Sequence, residues 1–211
     1  MLKATDVMQT QDATIVLASA SPSRAALLRA AGLSFEIRAA DLDEAAIRDV
    51  MQEGDKCPDP GDVAEVLARA KAETVSAENP EAIVIGADQI LTLEGDIFEK
   101  PANMDEARKT LLKLKGRTHH LHACVCVARN GQGVWGHGEA AHLTMRDFSA
   151  EFLGAYLAAE GDDVLDSVGA YKLESRGVQL FSEIKGDYFT VLGLPLVALL
   201  NYLRNEGVLQ L

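Results

Sequence analysis

The sequence predicts an α/β fold, because short apolar runs typical of buried strands alternate with helical patterns along its 211 residues. Hydrophobic residues make up 48% of the chain, which is enough for a sizeable core without disulfides or a structural metal. No internal repeat is visible. We therefore expect a single domain over residues 1–211, with a loose N-terminal tail over residues 1–12.

The first half of the chain begins with an apolar run at 14–18, which predicts a buried strand. A helical pattern follows, with Ser21 as N-cap, Pro22 in the first turn and Gly32 as C-terminal cap. The composition then predicts a strand at 34–40, an acidic turn at 41–44, a loop at 52–61 and a helix at 62–78.

In the second half, the apolar run 81–87 predicts a strand that ends at Asp88. Asn130-Gly131 is a strong hairpin signal between two long strands. The remaining patterns predict a hairpin at 90–99, helices at 101–114, 149–160 and 195–205, and the two long strands at 118–129 and 134–146.

The net charge is −12, from 20 basic and 32 acidic residues, which argues against a nucleic-acid partner. No apolar run approaches the ~20 residues that span a bilayer, so no membrane association is expected. The N-terminal residues lack the apolar core of a signal peptide, and three cysteines do not form a disulfide framework. These features favour a cytoplasmic protein.

The segment that joins the first strand to the first helix is a candidate phosphate site. A helix N-terminus offers free backbone N–H groups, and Ser19, Ser21 and Arg24 surround it. The spacing of a Walker A loop is absent. The alternative is an ordinary serine N-cap beside a surface arginine.

Two carboxylates and two lysines are further candidates. Asp88 follows an apolar run, and Glu44 follows the acidic turn, so together they would suit Mg²⁺ or Mn²⁺. Lys71 and Lys100 could each reach a polyphosphate as a point charge. The alternatives are that Asp88 caps the turn after a strand, that Glu44 belongs to a solvated turn, and that both lysines are ordinary surface residues.

His120, His122, Cys124 and Cys126 alternate along one predicted strand and share one face. Residues two apart on a strand are ~6.6 Å apart, so the four would span ~20 Å. Bonds to zinc are only ~2.0–2.3 Å long. We therefore interpret this run as a half-buried strand rather than a zinc site.

A series of short motifs follows in order along the chain. The motifs are Ser19-Ala20-Ser21-Pro22-Ser23-Arg24, Leu27-Leu28, Gly32, Glu44, Leu67-Ala68-Arg69-Ala70-Lys71-Ala72, Gly86-Ala87-Asp88-Gln89, Lys100-Pro101, Gly116-Arg117-Thr118-His119, Gly169-Ala170-Tyr171 and Gly193-Leu194-Pro195-Leu196. No single motif is specific, but all of them in this order resemble the Maf family of nucleotide pyrophosphatases over roughly residues 14–204.

The resemblance implies a mixed, twisted α/β sheet flanked by helices, with two lobes around a deep cleft, and often a homodimer. It also implies hydrolysis of a nucleoside triphosphate between the α and β phosphates, with a divalent metal, Mg²⁺ or Mn²⁺. By motif, Asp88 is the proton acceptor and Glu44 shares the metal and phosphate site. Ser19, Arg24, Lys71 and Lys100 would hold the polyphosphate, with Lys100 counted among the catalytic groups.

Three positions depart from the best-known pattern of the family. That pattern has arginine, threonine and glutamine at these positions, and it is typical of members that act on dTTP and UTP. This chain has Ser23, Gln89 and Glu174 there. A branch selecting 7-methyl-GTP has tryptophan, glutamine and glutamate, so two of the three positions agree. A carboxylate at Glu174 could accept hydrogen bonds from a guanine edge. We therefore favour 7-methyl-GTP or another modified base over dTTP and UTP.

A second hypothesis is a nucleotide-binding regulator of cell division or septum formation that does not catalyse. Ser23 motivates it, because the family pattern has an arginine at this phosphate-contact position. The retention of Asp88, Glu44, Lys71 and Lys100 favours the enzyme, since a pure binder does not need a base.

Overall fold

The computed structural model describes residues 9–10, 13–52 and 58–210. Their contacts divide the chain into two compact units. Unit 1 comprises Met1–Gln89, Ala123–Glu139 and Gly193–Leu211, and unit 2 comprises Ile90–His122 and Ala140–Leu192. Most of the tail predicted at 1–12, and residues 53–57 of the predicted loop, lie outside the described residues.

Unit 1 holds the first strands and helices and the last helix. Its complete elements are β1 (Ile15–Leu17), α1 (Pro22–Ala30), β2 (Glu36–Ile37), α2 (Glu44–Gln52), α3 (Pro60–Glu78) and α7 (Leu196–Asn205). Three longer strands run through both units: β3 (Ile83–Leu93), β5 (Thr118–Arg129) and β6 (Gln132–Met145).

Unit 2 holds the remaining elements. They are β4 (Asp96–Phe98), α4 (Met104–Leu114), α5 (Ala150–Glu160), the 3-10 helices Gly161–Asp166 and Arg176–Leu180, β7 (Phe181–Lys185) and α6 (Tyr188–Val191). None of the helices in the described part of the chain is long and apolar enough to cross a membrane.

The strands form a mixed seven-stranded sheet in the order β2-β1-β3-β5-β6-β7, with β4 paired to β3. β1 is parallel to both β2 and β3, with Leu17 opposite Ile37 and Ile85. β4 and β7 pair antiparallel with β3 and β6. The predicted α/β class and mixed sheet are confirmed.

Local signals placed most elements correctly. The Ser21 side chain caps α1, Pro22 opens it, and Gly32 follows it with a φ of 80°. Asn130 and Gly131 turn between β5 and β6 with φ values of 49° and 75°, as a two-residue hairpin requires.

Several predicted boundaries were wrong: β2 is Glu36–Ile37 rather than 34–40, and two errors concern candidate site residues. Asp88 does not end a strand, because β3 continues to Leu93. The apolar run instead ends near the last residue of β3 that pairs with β1, Ile85, and the strand continues beyond that parallel pairing. Glu44 does not close a turn but is the first residue of α2. The acidic residues before this helix led to the prediction of a turn.

The core of unit 1 packs α3 against the parallel strands. Val75 on α3 joins Val16 and Ala18 near β1, and Ala82 and Val84 near β3, in one buried cluster. Gly86 allows this close packing, since a Cβ there would lie 2.2 Å from the Ala68 carbonyl oxygen and 2.7 Å from the Ala72 nitrogen. The backbones of α3 and β3 therefore meet where only glycine fits.

The core of unit 2 contains a buried polar pair. Leucines of α4 and α5, for example Leu111 and Leu153, pack there with residues of β3, β5 and β6. Within this unit the fully buried His119 lies 2.7 Å from the Tyr171 hydroxyl through its Nε2 atom. The Phe181 ring packs edge-on against Tyr171, with centroids 4.8 Å apart.

Candidate active site

One lysine joins the two candidate carboxylates in unit 1. Lys71 Nζ lies 2.6 Å from Asp88 Oδ1 and 2.9 Å from Glu44 Oε1. The side chains of Lys71 and Asp88 are only 12% and 9% exposed, whereas that of Glu44 is 38% exposed. The structure therefore brings three predicted site residues into one partly solvated ion-pair group, called here the Lys71 cluster.

The fold explains how these three side chains meet. Asp88 and Gly86 are two residues apart on β3 and share a face, and Gly86 admits α3, the helix that carries Lys71. Glu44 lies in the first turn of α2, where a carboxylate is favoured by the helix dipole. Arg48 Nη1, one turn later, lies 3.8 Å from the Glu44 carboxylate.

The candidate phosphate segment lies in the same unit and is internally bonded. Ser19 is buried, and its Oγ accepts hydrogen bonds from the Ser21 N–H at 3.3 Å and from Arg24 Nη1 at 3.1 Å. Arg24 also donates to the carbonyl oxygens of Ala87 and Gly193, both at 2.8 Å. Burial lowers the pKa of Arg24, and the negative charges of Asp88 and Glu44 partly oppose this.

Two of the three specificity candidates also belong to unit 1. Gln89 follows Asp88 on β3, and Ser23 is the second residue of α1. A Cβ on Gly193 would lie 3.5 Å from Gln89 Oε1, so the turn before α7 lies against Gln89. The third candidate, Glu174, belongs to unit 2 and is exposed in the turn before a 3-10 helix.

Lys100 belongs to unit 2 and is exposed after β4. It lines a cavity of about 430 Å³ with Phe98, Pro101, Lys109 and Lys113, among others. The structure therefore groups Ser19 with Arg24, and Lys71 with Glu44 and Asp88, while it places Lys100 and Glu174 in the other unit.

Comparison with known proteins assigns the family. The model of the family described as Maf-like protein matches residues 14–206. The chain belongs to the Maf family.

Individual Maf relatives match the chain over almost their full length. The chain is 50% identical over 192 residues to a protein of Brucella abortus named 7-methyl-GTP pyrophosphatase, covering 91% of this chain and 96% of that protein. It is 48% identical over 194 residues to a nucleoside triphosphate pyrophosphatase of Paramagnetospirillum magneticum, covering 92% and 99%. A 7-methyl-GTP pyrophosphatase of Mesorhizobium japonicum is 48% identical and is covered to 98%.

The donor atoms of this Maf site fit a divalent metal of the Mg²⁺ type. Asp88 and Glu44 offer carboxylate oxygens that one cation, the Lys71 ammonium, already joins. Mg²⁺ is commonly held by one or two carboxylates together with waters and substrate phosphates. Among the described residues, no group of three or more His, Cys, Asp and Glu side chains could hold a metal, so the substrate and water would supply the other ligands.

The alternating His and Cys residues have other surroundings. Cys124 Sγ donates to the Gly61 carbonyl oxygen at 3.6 Å. Burial raises the pKa of Cys124 to about 12, and nearby acidic groups add to the effect. Burial also raises the pKa of Cys126 to about 11, although Arg69 partly opposes this. Such thiols remain protonated and are poor ligands and nucleophiles.

The sequence assigns Gly86 no role in positioning the site, and at Gly193 it favours a structural turn, with a turn near a ligand or between lobes as the alternative. Both stand in motifs of the Maf resemblance, but a glycine in a motif does not reveal what approaches it. The contacts identify the reasons: helix α3 at Gly86, and Arg24 with Gln89 at Gly193, whose φ is 89°.

Proposed function

We propose that this chain hydrolyses nucleoside triphosphates between the α and β phosphates, releasing a monophosphate and pyrophosphate. The observation that carries the proposal is the Lys71 cluster, in which a largely buried carboxylate lies beside a second, more exposed one. Support comes from relatives about half identical to this chain whose names state pyrophosphatase activity.

Asp88 would act as the base. Its side chain is buried within β3, next to Gln89, and its carboxylate would orient a water molecule and accept its proton. Lys71 holds Oδ1 of Asp88 at 2.6 Å, which restricts the rotation of the carboxylate. A fixed base is favourable here because phosphoryl-type transfer depends mainly on positioning and charge neutralisation.

Glu44 and Asp88 would hold the divalent metal, Mg²⁺ or Mn²⁺. The bound ion supplies neutralisation of phosphate charge and a lower pKa for water. Lys71 would contribute further positive charge toward the polyphosphate, and the start of α1 would contribute N–H donors.

The preferred base is proposed to be 7-methylguanine or another modified base. Gln89 and Glu174 agree with the branch of the family that selects 7-methyl-GTP, and two of the relatives above carry that name. The resemblance further implies a homodimer, and the composition favours a cytoplasmic protein; we propose both. Light scattering in solution checks the dimer.

The first experiment compares wild-type protein with Asp88→Asn. Pyrophosphate release is measured with Mg²⁺ or Mn²⁺ over the common nucleoside and deoxynucleoside triphosphates and 7-methyl-GTP. The amide preserves shape but cannot accept the proton, so we expect kcat to fall by about 10²–10⁴-fold. Asp162→Asn, an exposed carboxylate in a 3-10 helix of unit 2, is the matched control and should retain full activity.

Three outcomes decide the proposal. A tenfold preference for one base, about 1.4 kcal/mol of barrier, would establish selection by the site. Normal turnover by folded Asp88→Asn would remove Asp88 as the base. Tight nucleotide binding without pyrophosphate release by the wild type would favour the regulator instead.

A further inference from the structure

Protein acceptors already engage most of the Arg24 guanidinium. Its Nε donates to the Gly193 carbonyl oxygen at 2.8 Å, and Nη1 donates to the Ala87 carbonyl oxygen at 2.8 Å and to Ser19 Oγ at 3.1 Å. A guanidinium has five N–H donors, so these three bonds use all those of Nε and Nη1. This pattern is typical of an arginine that fixes backbone segments.

The three acceptors come from segments far apart in the chain. Ser19 follows β1, Ala87 precedes Asp88 on β3, and Gly193 forms the turn before α7. The Ala87 carbonyl belongs to the peptide group that leads directly into Asp88. Arg24 therefore ties the strand that carries Asp88 and Gln89 to the turn at Gly193.

The turn at Gly193 lies against Gln89. A Cβ on Gly193 would be 3.4 Å from both Nε and Nη2 of Arg24 and 3.5 Å from Gln89 Oε1. With its φ of 89°, Gly193 adopts a backbone conformation that other residues rarely take. Arg24 and Gly193 together therefore fix the position of the turn that lies beside the Gln89 side-chain amide.

We infer that Arg24 is a positioning residue for base selection, which acts by holding the Gly193 turn against Gln89. This inference rests on the proposed function and deepens it, because Gln89 is one of the positions expected to read the base. It assigns Arg24 a role other than the polyphosphate contact that the family resemblance implies.

The two roles predict different patterns of loss. A phosphate ligand touches a group that all triphosphates share, so its removal lowers kcat/KM for every nucleotide by the same factor. A residue that positions Gln89 changes the ratio between bases, since it alters the group that distinguishes them. The ratio of kcat/KM for 7-methyl-GTP to that for UTP therefore separates the roles.

The experiment uses Arg24→Lys, which keeps the charge but cannot bridge three acceptors with one ammonium. We expect the discrimination ratio to change at least tenfold relative to wild type. Arg29→Lys, an exposed arginine later in α1, is the control and should leave the ratio unchanged. Gly193→Ala leaves Arg24 intact and displaces the turn, so it should also change the ratio, and the double variant should add little.

An unchanged ratio, with all nucleotides weakened in proportion, would overturn the inference and restore Arg24 as a phosphate ligand. A folded Gly193→Ala variant that keeps the wild-type ratio of kcat/KM values would also overturn the inference. The dissociation constants of 7-methyl-GMP and UMP, measured by calorimetry, give the corresponding ratio without turnover. Failure of the wild type to hydrolyse any nucleotide would refute the proposed function, while the binding ratio would still test Arg24.

Discussion

The two units stabilise buried polar groups in different ways, unit 1 by pairing opposite charges and unit 2 by a hydrogen bond between neutral groups. In unit 1, Lys71 and Asp88 form an ion pair at 2.6 Å with Glu44 at the more exposed side. In unit 2, His119 is fully buried, and its polar contact is the uncharged Tyr171 hydroxyl at 2.7 Å. Burial, with a smaller contribution from His120, lowers the pKa of His119 to about 4.

The difference shows two solutions to one physical problem. A charge removed from water needs a partner of opposite sign, whereas a group that can lose its charge becomes neutral. The Lys71 cluster pairs groups of opposite charge, so each member depends on the others. In the His119–Tyr171 pair the buried imidazole is neutral, and the pair contributes to the packing of the core.

Lys71→Met breaks the charged arrangement and has the largest expected effect. It leaves the nearly buried Asp88 without its partner, and removal of one member of a buried pair typically costs 3–5 kcal/mol. Because Glu44 remains partly solvated, we expect about 3 kcal/mol of destabilisation by urea unfolding, with loss of pyrophosphate release. The exposed Lys109→Met is the control.

The double variant Lys71→Met with Asp88→Asn sharpens this result. Because the nearly buried carboxylate of Asp88 no longer lacks a partner, and Glu44 is partly solvated, the double variant should be more stable than Lys71→Met alone. Equal stability of the single and double variants would show that an unpaired Asp88 carboxylate costs little free energy of folding.

Gly86→Ala tests the close packing that places Lys71 beside Asp88. Its Cβ would meet the Ala68 carbonyl oxygen at 2.2 Å, so α3 must move. We expect about 2–3 kcal/mol of destabilisation and a reduced kcat, measured by thermal unfolding and pyrophosphate release. Gly154→Ala, within α5 where a Cβ meets no atom within 4 Å, should instead be neutral or stabilising.

The neutral pair in unit 2 predicts a pH effect of smaller size. The pKa of His119 falls from 6.5 to about 4 on folding, so between these values the unfolded chain binds more protons. The stabilisation is therefore fully present above pH 6.5 and is lost as the pH falls toward 4. Between pH 7.5 and 5.5 this amounts to about 1.3 kcal/mol.

Urea unfolding at pH 7.5 and 5.5 measures this contribution by comparison of the wild type with His119→Gln. The wild type should lose about 1.3 kcal/mol more than the variant over this range. The exposed His137→Gln should behave as the wild type does. Parallel pH curves for wild type and His119→Gln would mean that His119 does not titrate in this way.

The sequence predicted those parts of the fold that depend on local signals. Ser21, Pro22 and the Asn130-Gly131 turn act through neighbouring residues, so their positions determined α1 and the long hairpin. The predicted end of β3 was wrong because a strand can continue past the end of its parallel partner. The start of α2 was missed because acidic residues favour a helix N-terminus as readily as a turn.

For the site, the sequence supplied residue types but not contacts. Asp88, Glu44 and Lys71 were chosen by motif, and their convergence depends on how α3 approaches β3. The bonds from Arg24 to Gly193 and Ala87 span 169 and 63 positions, and no local pattern reports them. Long-range contacts of this kind arise only from the packed fold.

The bond from Arg24 to Gly193 has a consequence for the order of synthesis. A ribosome makes the chain from its N-terminus, and 168 residues separate the arginine from its acceptor. The strand that carries Asp88 emerges long before the turn that Arg24 ties to it. Nascent chains that stop before Gly193 therefore lack this tie, so the contact between the turn and Gln89 can be fixed by Arg24 only after Gly193 has been made.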